Sequence, residues 1–362
     1  MGLYYCIGAF LLLFVGITLR SRNCERKFLL NCGGVYYYTN RKTNKENLLA
    51  AFALLFFWVL TAFRGIDIGN DTVSYVRIFN DILANGIDFN SGIEYGYQIL
   101  CLVIGFFSSN STFFLFVIAT ICYSGVAIYI FKYSKNKMFS VCLFFCVCFS
   151  NFTNILRQDI AMVIILFANQ AIRDNKKIKA LLLIIFASFF HLSAISAILL
   201  FLYKFVPKSV FYVFIATIIL TIAAITGVLN EILIFIVPTY KNYILKQEFG
   251  FGYMALTVDL IRALAIYGLI FYFHRKNRKI LANYIILLLF SSLGYIATII
   301  SRASTYFLLP IIIDIPNAFY LKKIKHYKSI ILGVCFIFIA YFIVVLIIRP
   351  EWNYLYPYEF FK

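Results

Sequence analysis

The sequence predicts an all-α polytopic membrane protein, with about ten transmembrane helices and one broken re-entrant segment in a single integral membrane domain, 1–362. Three observations lead there. First, hydrophobic residues make up 63% and charged residues 13%, with a mean hydropathy of +0.90. A soluble fold of that composition could not cover itself with polar surface, which excludes a soluble enzyme and a disordered chain. Second, apolar runs of spanning length recur along the whole chain. Third, 24 of the 33 Lys and Arg fall in six short connections, 20–46, 132–137, 173–179, 204–208, 274–279 and 322–328, which hold only Glu25, Glu46 and Asp174 among the 15 acids. Basic residues gathered in short connections mark cytoplasmic loops. The net charge of +18 therefore reads as topology and not as a nucleic-acid footprint.

The first apolar run, 3–19, resembles a signal sequence. Arg20 and Arg22 follow it without a small-residue cleavage site, so it reads as an uncleaved first helix. Further spans are expected at 47–63, 112–131, 138–153, 155–172, 209–228, 255–273, 281–300, 303–321 and 329–348. The connections 64–111 and 229–254 and the tail 349–362 then face outward, and so do both termini. Segment 95–107 is apolar but short, and must not cross; it would lie on the outer face or dip into it. Segment 180–204 is interrupted at Phe190-His191-Leu192-Ser193 and flanked by basic connections at both ends. It fits a hairpin that enters and leaves on one side with His191 near its tip, since irregular backbone is tolerated at membrane depth where protein or water surrounds it. One long tilted helix is the alternative, and would place Lys204 and Lys208 outside. Cys142, Cys146 and Cys148 read as packing residues of one helix, and no cysteine pair has metal or redox spacing. No internal repeat aligns.

This topology places Arg64, Arg157 and Arg302, from three distant segments, at one outer membrane depth. Arginine there is costly unless it is paired or meets water. Snorkelling to the headgroups explains one such residue more easily than three. A planar guanidinium grips phosphate oxygens bidentately, so the three suggest a pyrophosphate site without a metal. The stretch from Arg64 to Tyr75 adds Gly65 and Gly69 for tight turns and two carboxylates, Asp67 and Asp71, able to supply a general base and an orienting partner beside the arginine. Asn70 or Asp71 is equally placed to cap a helix over 72–84. Asp259 and Arg262, spaced i, i+3, read as a mutual pair. Asp314, before Pro316, reads as a partner for freed backbone. Tyr240, Tyr243, Tyr354, Tyr356 and Tyr358 lie in outward segments, as interfacial residues or as stacking faces for sugar rings.

These residues carry a pattern that resembles the EpsG-type family of Wzy-like bacterial polysaccharide polymerases. Arg64…Gly69-x-Asp71-x-x-x-Tyr75, Arg157-Gln158-x-Ile160-Ala161, Phe190-His191-Leu192-Ser193-Ala194, and Arg302-x-x-x-Tyr306 with the terminal Tyr356-Pro357-Tyr358 follow in order from about residue 50 to the C-terminus. The resemblance implies a glycosyltransferase of GT-C-like membrane architecture in the bacterial inner membrane, with no cofactor. It would join sugar repeat units carried on undecaprenyl pyrophosphate at the periplasmic or outer face. Its partners would be the lipid-linked donor and acceptor, membrane lipid and a chain-length regulator, with no nucleic acid. Arg64, Arg157, Arg302, Gln158, Tyr75 and Tyr306 would hold substrate and pyrophosphate. Asp71 or His191 would deprotonate the acceptor, and Asp67 is less typical of the family. A lipid-linked oligosaccharide flippase would need polar residues through the membrane depth and two related halves. A membrane O-acyltransferase would need more than His191 to activate a nucleophile.

Overall fold

A computed structural model describes residues 1–28, 41–236, 241–242, 253–296, 298–321 and 326–360. Parts of the basic connections 20–46 and 322–328 and of the connection 229–254 lie outside the described residues, Tyr240 and Tyr243 among them. The described chain is helical, apart from turns and one isolated antiparallel bridge between Arg64 and Phe360.

In chain order the helices are α1 (Gly2–Phe28), α2 (Arg41–Ala62), α3 (Thr72–Asn85), α4 (Tyr95–Phe107), α5 (Ser111–Tyr133), α6 (Lys137–Cys148), α7 (Asn151–Asn154), α8 (Leu156–Arg173) and α9 (Lys177–Ser188). After a 3₁₀ helix at Leu192–Phe205 come α10 (Val210–Ile225), α11 (Asn230–Ile236), α12 (Tyr253–His274), α13 (Arg278–Leu293), α14 (Thr298–Ser301), α15 (Ser304–Leu308), α16 (Ile311–Leu321) and α17 (Tyr327–Ile348). Among the described residues, five stretches are long and apolar enough to cross a bilayer: Gly2–Arg20, Lys45–Ala62, Ser111–Tyr133, Met254–His274 and Tyr327–Ile348.

The other five expected spans are shorter, broken or more polar, each for a local reason. The run 138–153 stops at Cys148 and restarts as the four-residue α7. The run 155–172 is the 18-residue α8, with Arg157 and Asp159 in its first turn. The run 209–228 is a helix of 16 residues. The run 281–300 ends its main helix at Leu293. The run 303–321 breaks ahead of Ile311, at Pro310, which has no N–H to bond back to the preceding turn. Segment 180–204 is not one helix. α9 ends at Ser188 and the chain resumes at Leu192 as a 3₁₀ helix that packs back along α9. Fourteen residues is long for 3₁₀ geometry, whose short runs otherwise mark strain or hinges.

The described residues fall into two compact units. The first comprises Met1–Val163, Phe189–His191 and Ile311–Lys362. Its centre is α6, where every residue from Met138 to Cys148 is buried. A helix apolar on all faces must be enclosed, and α1, α2, α5, α16 and α17 pack around this one. Phe57 of α2 stacks on Phe145 at 4.7 Å. The free thiols of Cys142, Cys146 and Cys148 are buried there as packing groups. α3 and α4 pack on each other and against α5, with Phe79 stacked on Phe114 at 4.5 Å.

The second unit comprises Ile164–Ser188 and Leu192–Pro310. It is organised on α13, against which α10, α12, α15 and the 3₁₀ helix pack. Buried amides link its parts: Asn169 Nδ2 donates to Asn283 Oδ1 at 2.6 Å, and Asn283 Nδ2 donates to the Phe307 carbonyl at 2.6 Å. On α12, Arg262 pairs with Asp259 at 2.8 Å.

Candidate functional site

Three short pieces of backbone bring the most chemically versatile group of side chains together, all within the first unit. The first is the start of α4. Glu94 precedes its first turn in extended conformation, and its carbonyl accepts from Tyr97 and Gln98 N–H. Its carboxylate makes no capping bond and is directed elsewhere. The loop leading to it is held by Gln98, whose amide donates to the carbonyls of Asp88 and Ile93 and accepts from Asp88 N–H. The second piece is the first turn of α8, which carries Arg157. The third is the break after α9, where Phe189 carbonyl accepts from Gly96 N–H at 2.9 Å. Glycine is required there, because a Cβ on residue 96 would sit 2.7 Å from that carbonyl oxygen.

The result is one carboxylate with two partners. Glu94 Oε2 takes Arg157 Nη1 at 2.5 Å, and Glu94 Oε1 lies 2.9 Å from His191 Nδ1. An ionised carboxylate only accepts, so Nδ1 carries a hydrogen and, in the neutral ring, Nε2 keeps its lone pair. The three side chains remain partly open, at 19% for Arg157, 15% for Glu94 and 26% for His191. The Arg157 guanidinium also lies over the rings of Tyr75 and Tyr97, 5.8 and 5.9 Å from their centroids, a favourable placement for a cation. Burial pushes the Tyr75 phenol above its ordinary value, with Arg157 opposing, and burial does the same at Tyr97. Both phenols therefore stay protonated and are poor candidates for a base.

A second cluster lies around the other side of α8. Residues two apart on a helix point about 200° apart, so Asp159 faces away from Arg157. Asp159 is 1% exposed, and Arg64, with no exposure at all, is the cation that acts on it electrostatically. Arg64 Nη1 donates to the Thr61 carbonyl at 2.5 Å. Its Nε and Nη2, and both Asp159 oxygens, are buried without a hydrogen-bond partner.

The C-terminal tail closes over this cluster. Gly65 N–H donates to Glu359 carbonyl at 2.8 Å and Gly69 N–H to Tyr354 carbonyl at 3.0 Å. Asn70 Nδ2 reaches the carbonyls of Glu351 and Trp352, and Tyr358 hydroxyl donates to Leu60 carbonyl. Gly69 has a φ of +92°, and a Cβ there would lie 2.3 Å from Thr153 carbonyl oxygen.

The remaining expected site residues are dispersed. Asp67 is exposed in the turn after Arg64. Asp71 occupies the N-cap position of α3 without a capping bond from its side chain. Gln158 is buried. Arg302 and Tyr306 belong to the second unit. There Arg302 is exposed, and the buried Tyr306 hydroxyl meets Ser193 Oγ at 3.0 Å. Among the described residues, no three His, Cys, Asp or Glu side chains stand together as a metal-ligating group.

Glu94, Tyr97, Gln98 and Gly96 were not singled out from the sequence. The run Glu94-Tyr95-Gly96-Tyr97-Gln98 held a usable signal, a carboxylate, a glycine and an amide opening a short apolar helix. So short an apolar run bears first on topology, and the carboxylate at its start has no partner nearby in the sequence that marks it as a site.

Compared with known protein families, residues 47–360 match the EpsG family. Comparison with curated proteins and with solved structures gave no match.

Proposed function

The chain belongs to the EpsG family, a membership that carries a polysaccharide-polymerase type of function, and on that footing we propose that it joins lipid-linked sugar repeat units at the outer face of the bacterial plasma membrane. The donor is a glycan on undecaprenyl pyrophosphate, and the acceptor is a second lipid-linked unit. The single observation that carries the reading is the pairing of Arg157 and His191 on one carboxylate. It sets a phosphate-binding cation beside a base with its orientation fixed.

In this reading, His191 Nε2 takes the proton from the acceptor hydroxyl. The acceptor oxygen forms its bond to the anomeric carbon of the donor. The bond from that carbon to the phosphate oxygen breaks, and the pyrophosphate leaves with the electron pair. Displacement in one step inverts the anomeric centre. Charge develops on the leaving oxygen, where a preorganised guanidinium stabilises it. Tyr75 and Tyr97 keep that guanidinium in place. Arg64 was expected to join Arg157 from its depth in the membrane. Its complete burial gives it in this reading a supporting role, holding the outer end of α2 against α8. Asp71 remains the alternative base, and Asp67 is the weaker carboxylate of the two.

Purified protein in nanodiscs, given radiolabelled lipid-linked repeat units, tests the proposal. Lengthening of the labelled chains with release of the lipid pyrophosphate is the expected result. Movement of intact units across the bilayer without lengthening would make the protein a flippase. Incorporation of acyl groups alone would make it an acyltransferase.

A further inference from the structure

Glu94 is asked to satisfy two groups at once, and the geometry bears on the order of events. Its Oε2 lies 2.5 Å from Arg157 Nη1 and its Oε1 lies 2.9 Å from His191 Nδ1. While Arg157 is bonded, most of the carboxylate's charge is spent on the guanidinium. Little is left to stabilise an imidazolium at His191. Arg157 is also underused, because its Nε is buried without a hydrogen-bond partner. Two aromatic rings flank the guanidinium, so it keeps its place when its anionic partner changes. A pyrophosphate oxygen is the competitor that fits, since a guanidinium offers the same fork to phosphate as to carboxylate.

We propose that Glu94 is an exchangeable partner of Arg157: the donor pyrophosphate displaces the carboxylate from the guanidinium, and the freed carboxylate then supports His191 as it takes the acceptor proton. Glu94 is thus a positioning residue that couples donor binding to acceptor activation. It touches neither reacting atom. The protein pays for this by placing an internal anion in competition with its substrate. The inference rests on the polymerase reading of the site and assigns it an order, donor first. Proton and charge balance within the site. The acceptor proton ends on His191 Nε2, Nδ1–H remains bonded to the Glu94 carboxylate, and the leaving pyrophosphate takes up the guanidinium that Glu94 released.

The test separates binding from turnover. Undecaprenyl pyrophosphate is the binding probe, titrated into the full chain in nanodiscs, and kcat comes from chain lengthening at saturating donor. Glu94→Gln keeps the shape of the side chain and removes its charge. Probe binding should tighten about tenfold, because one competing charge-assisted contact is lost, while kcat falls about 10²-fold or more, as when the carboxylate that orients a catalytic imidazole is neutralised. A brace that merely holds the fold gives weaker binding and lower kcat together, and that pattern overturns the proposal. So does a normal kcat.

Glu94→Asp, which keeps the charge on a shorter arm, should recover part of kcat, and no recovery counts against a charge role. In a His191→Gln background, Glu94→Gln should cost little more than His191→Gln alone. A further 10²-fold loss there would show that Glu94 acts by another route. The polymerase reading fails separately, through wild-type protein that lengthens no chains. The binding arm still reports whether Glu94 and the probe compete for Arg157.

Discussion

Gly96→Ala adds one methyl group at the contact that holds the tip after α9 against α4. The new Cβ would lie 2.7 Å from Phe189 carbonyl oxygen and 2.9 Å from Phe189 Cβ. Ordinary contact begins at 3.4 Å, so the tip must recede by about 0.7 Å, a shift that sterics impose on any such close pair. His191 is two residues further along. Carried to its ring, the shift stretches the 2.9 Å contact with Glu94 to about 3.6 Å, beyond hydrogen-bonding range. A misplacement on the order of 1 Å can cost about 10²-fold in rate, so the expected loss in chain lengthening is about 10- to 10²-fold. The same overpacking against backbone should also lower stability, by about 1–3 kcal/mol, so the rate is read per mole of folded protein. The assay is the rate of lengthening of labelled lipid-linked units per mole of protein, with folded protein measured by size exclusion in detergent. Gly268→Ala, where a Cβ meets nothing within 4 Å, is the reference and should match wild type. Wild-type lengthening by Gly96→Ala, at equal protein, would refute the claim that this close approach sets the position of His191.

Other expectations follow from the same geometry. Arg157→Lys keeps the charge but loses the fork, and should lower lengthening on the order of 10²-fold at normal protein levels; lysine serving equally well would leave Arg157 a membrane anchor. Gly69→Ala forces a side chain onto backbone at φ +92° with an oxygen 2.3 Å away. It should cost at least about 1–3 kcal/mol, read as a lower unfolding temperature in detergent, and an unchanged midpoint would contradict the stitched loop. Cysteines placed at Ser91 and Glu359, both exposed, in a background without native cysteines should label from outside intact cells. Labelling of both only after permeabilisation would reverse the topology.

Much of the helical framework was legible because hydropathy is a local property. The runs at 3–19, 47–63, 112–131, 255–273 and 329–348 each became a long helix; the last three agree within two residues at each end, while α1 runs on to Phe28 and α2 begins at Arg41, into the basic connection between them. Breaks at Pro310 and after Ser188 were partly legible, since Pro310 and the polar interruption around His191 are visible in the chain. The end of α6 at Cys148 was not, because nothing in Cys146-Val147-Cys148-Phe149 opposes a helix. Enclosure by five neighbouring helices, a tertiary fact, is what permits so short an apolar element. Glu94 illustrates the same divide at the site. It lies 63 residues from Arg157 and 97 from His191, and a carboxylate's choice of partner over such separations is set by packing that no local pattern encodes.

The arginines show why membrane depth alone could not sort function from support. Arg64 and Arg157 both stand at the ends of helices, Arg64 just after α2 and Arg157 in the first turn of α8, and both carry motif residues around them. Their surroundings differ by the half-turn of α8 that separates Asp159 from Arg157. On one side Arg64 is sealed by the tail, with its carbonyl partner at Thr61 and the Asp159 charge for company. On the other, Arg157 keeps 19% of its side chain open, and its anionic partner is shared with a histidine. A buried cation that lost its tail would meet water at once, whereas a partly open cation already does. Exchange of partners at low cost is therefore available to Arg157 and not to Arg64. That difference, and not charge or depth, is why the proposed pyrophosphate contact is placed at Arg157.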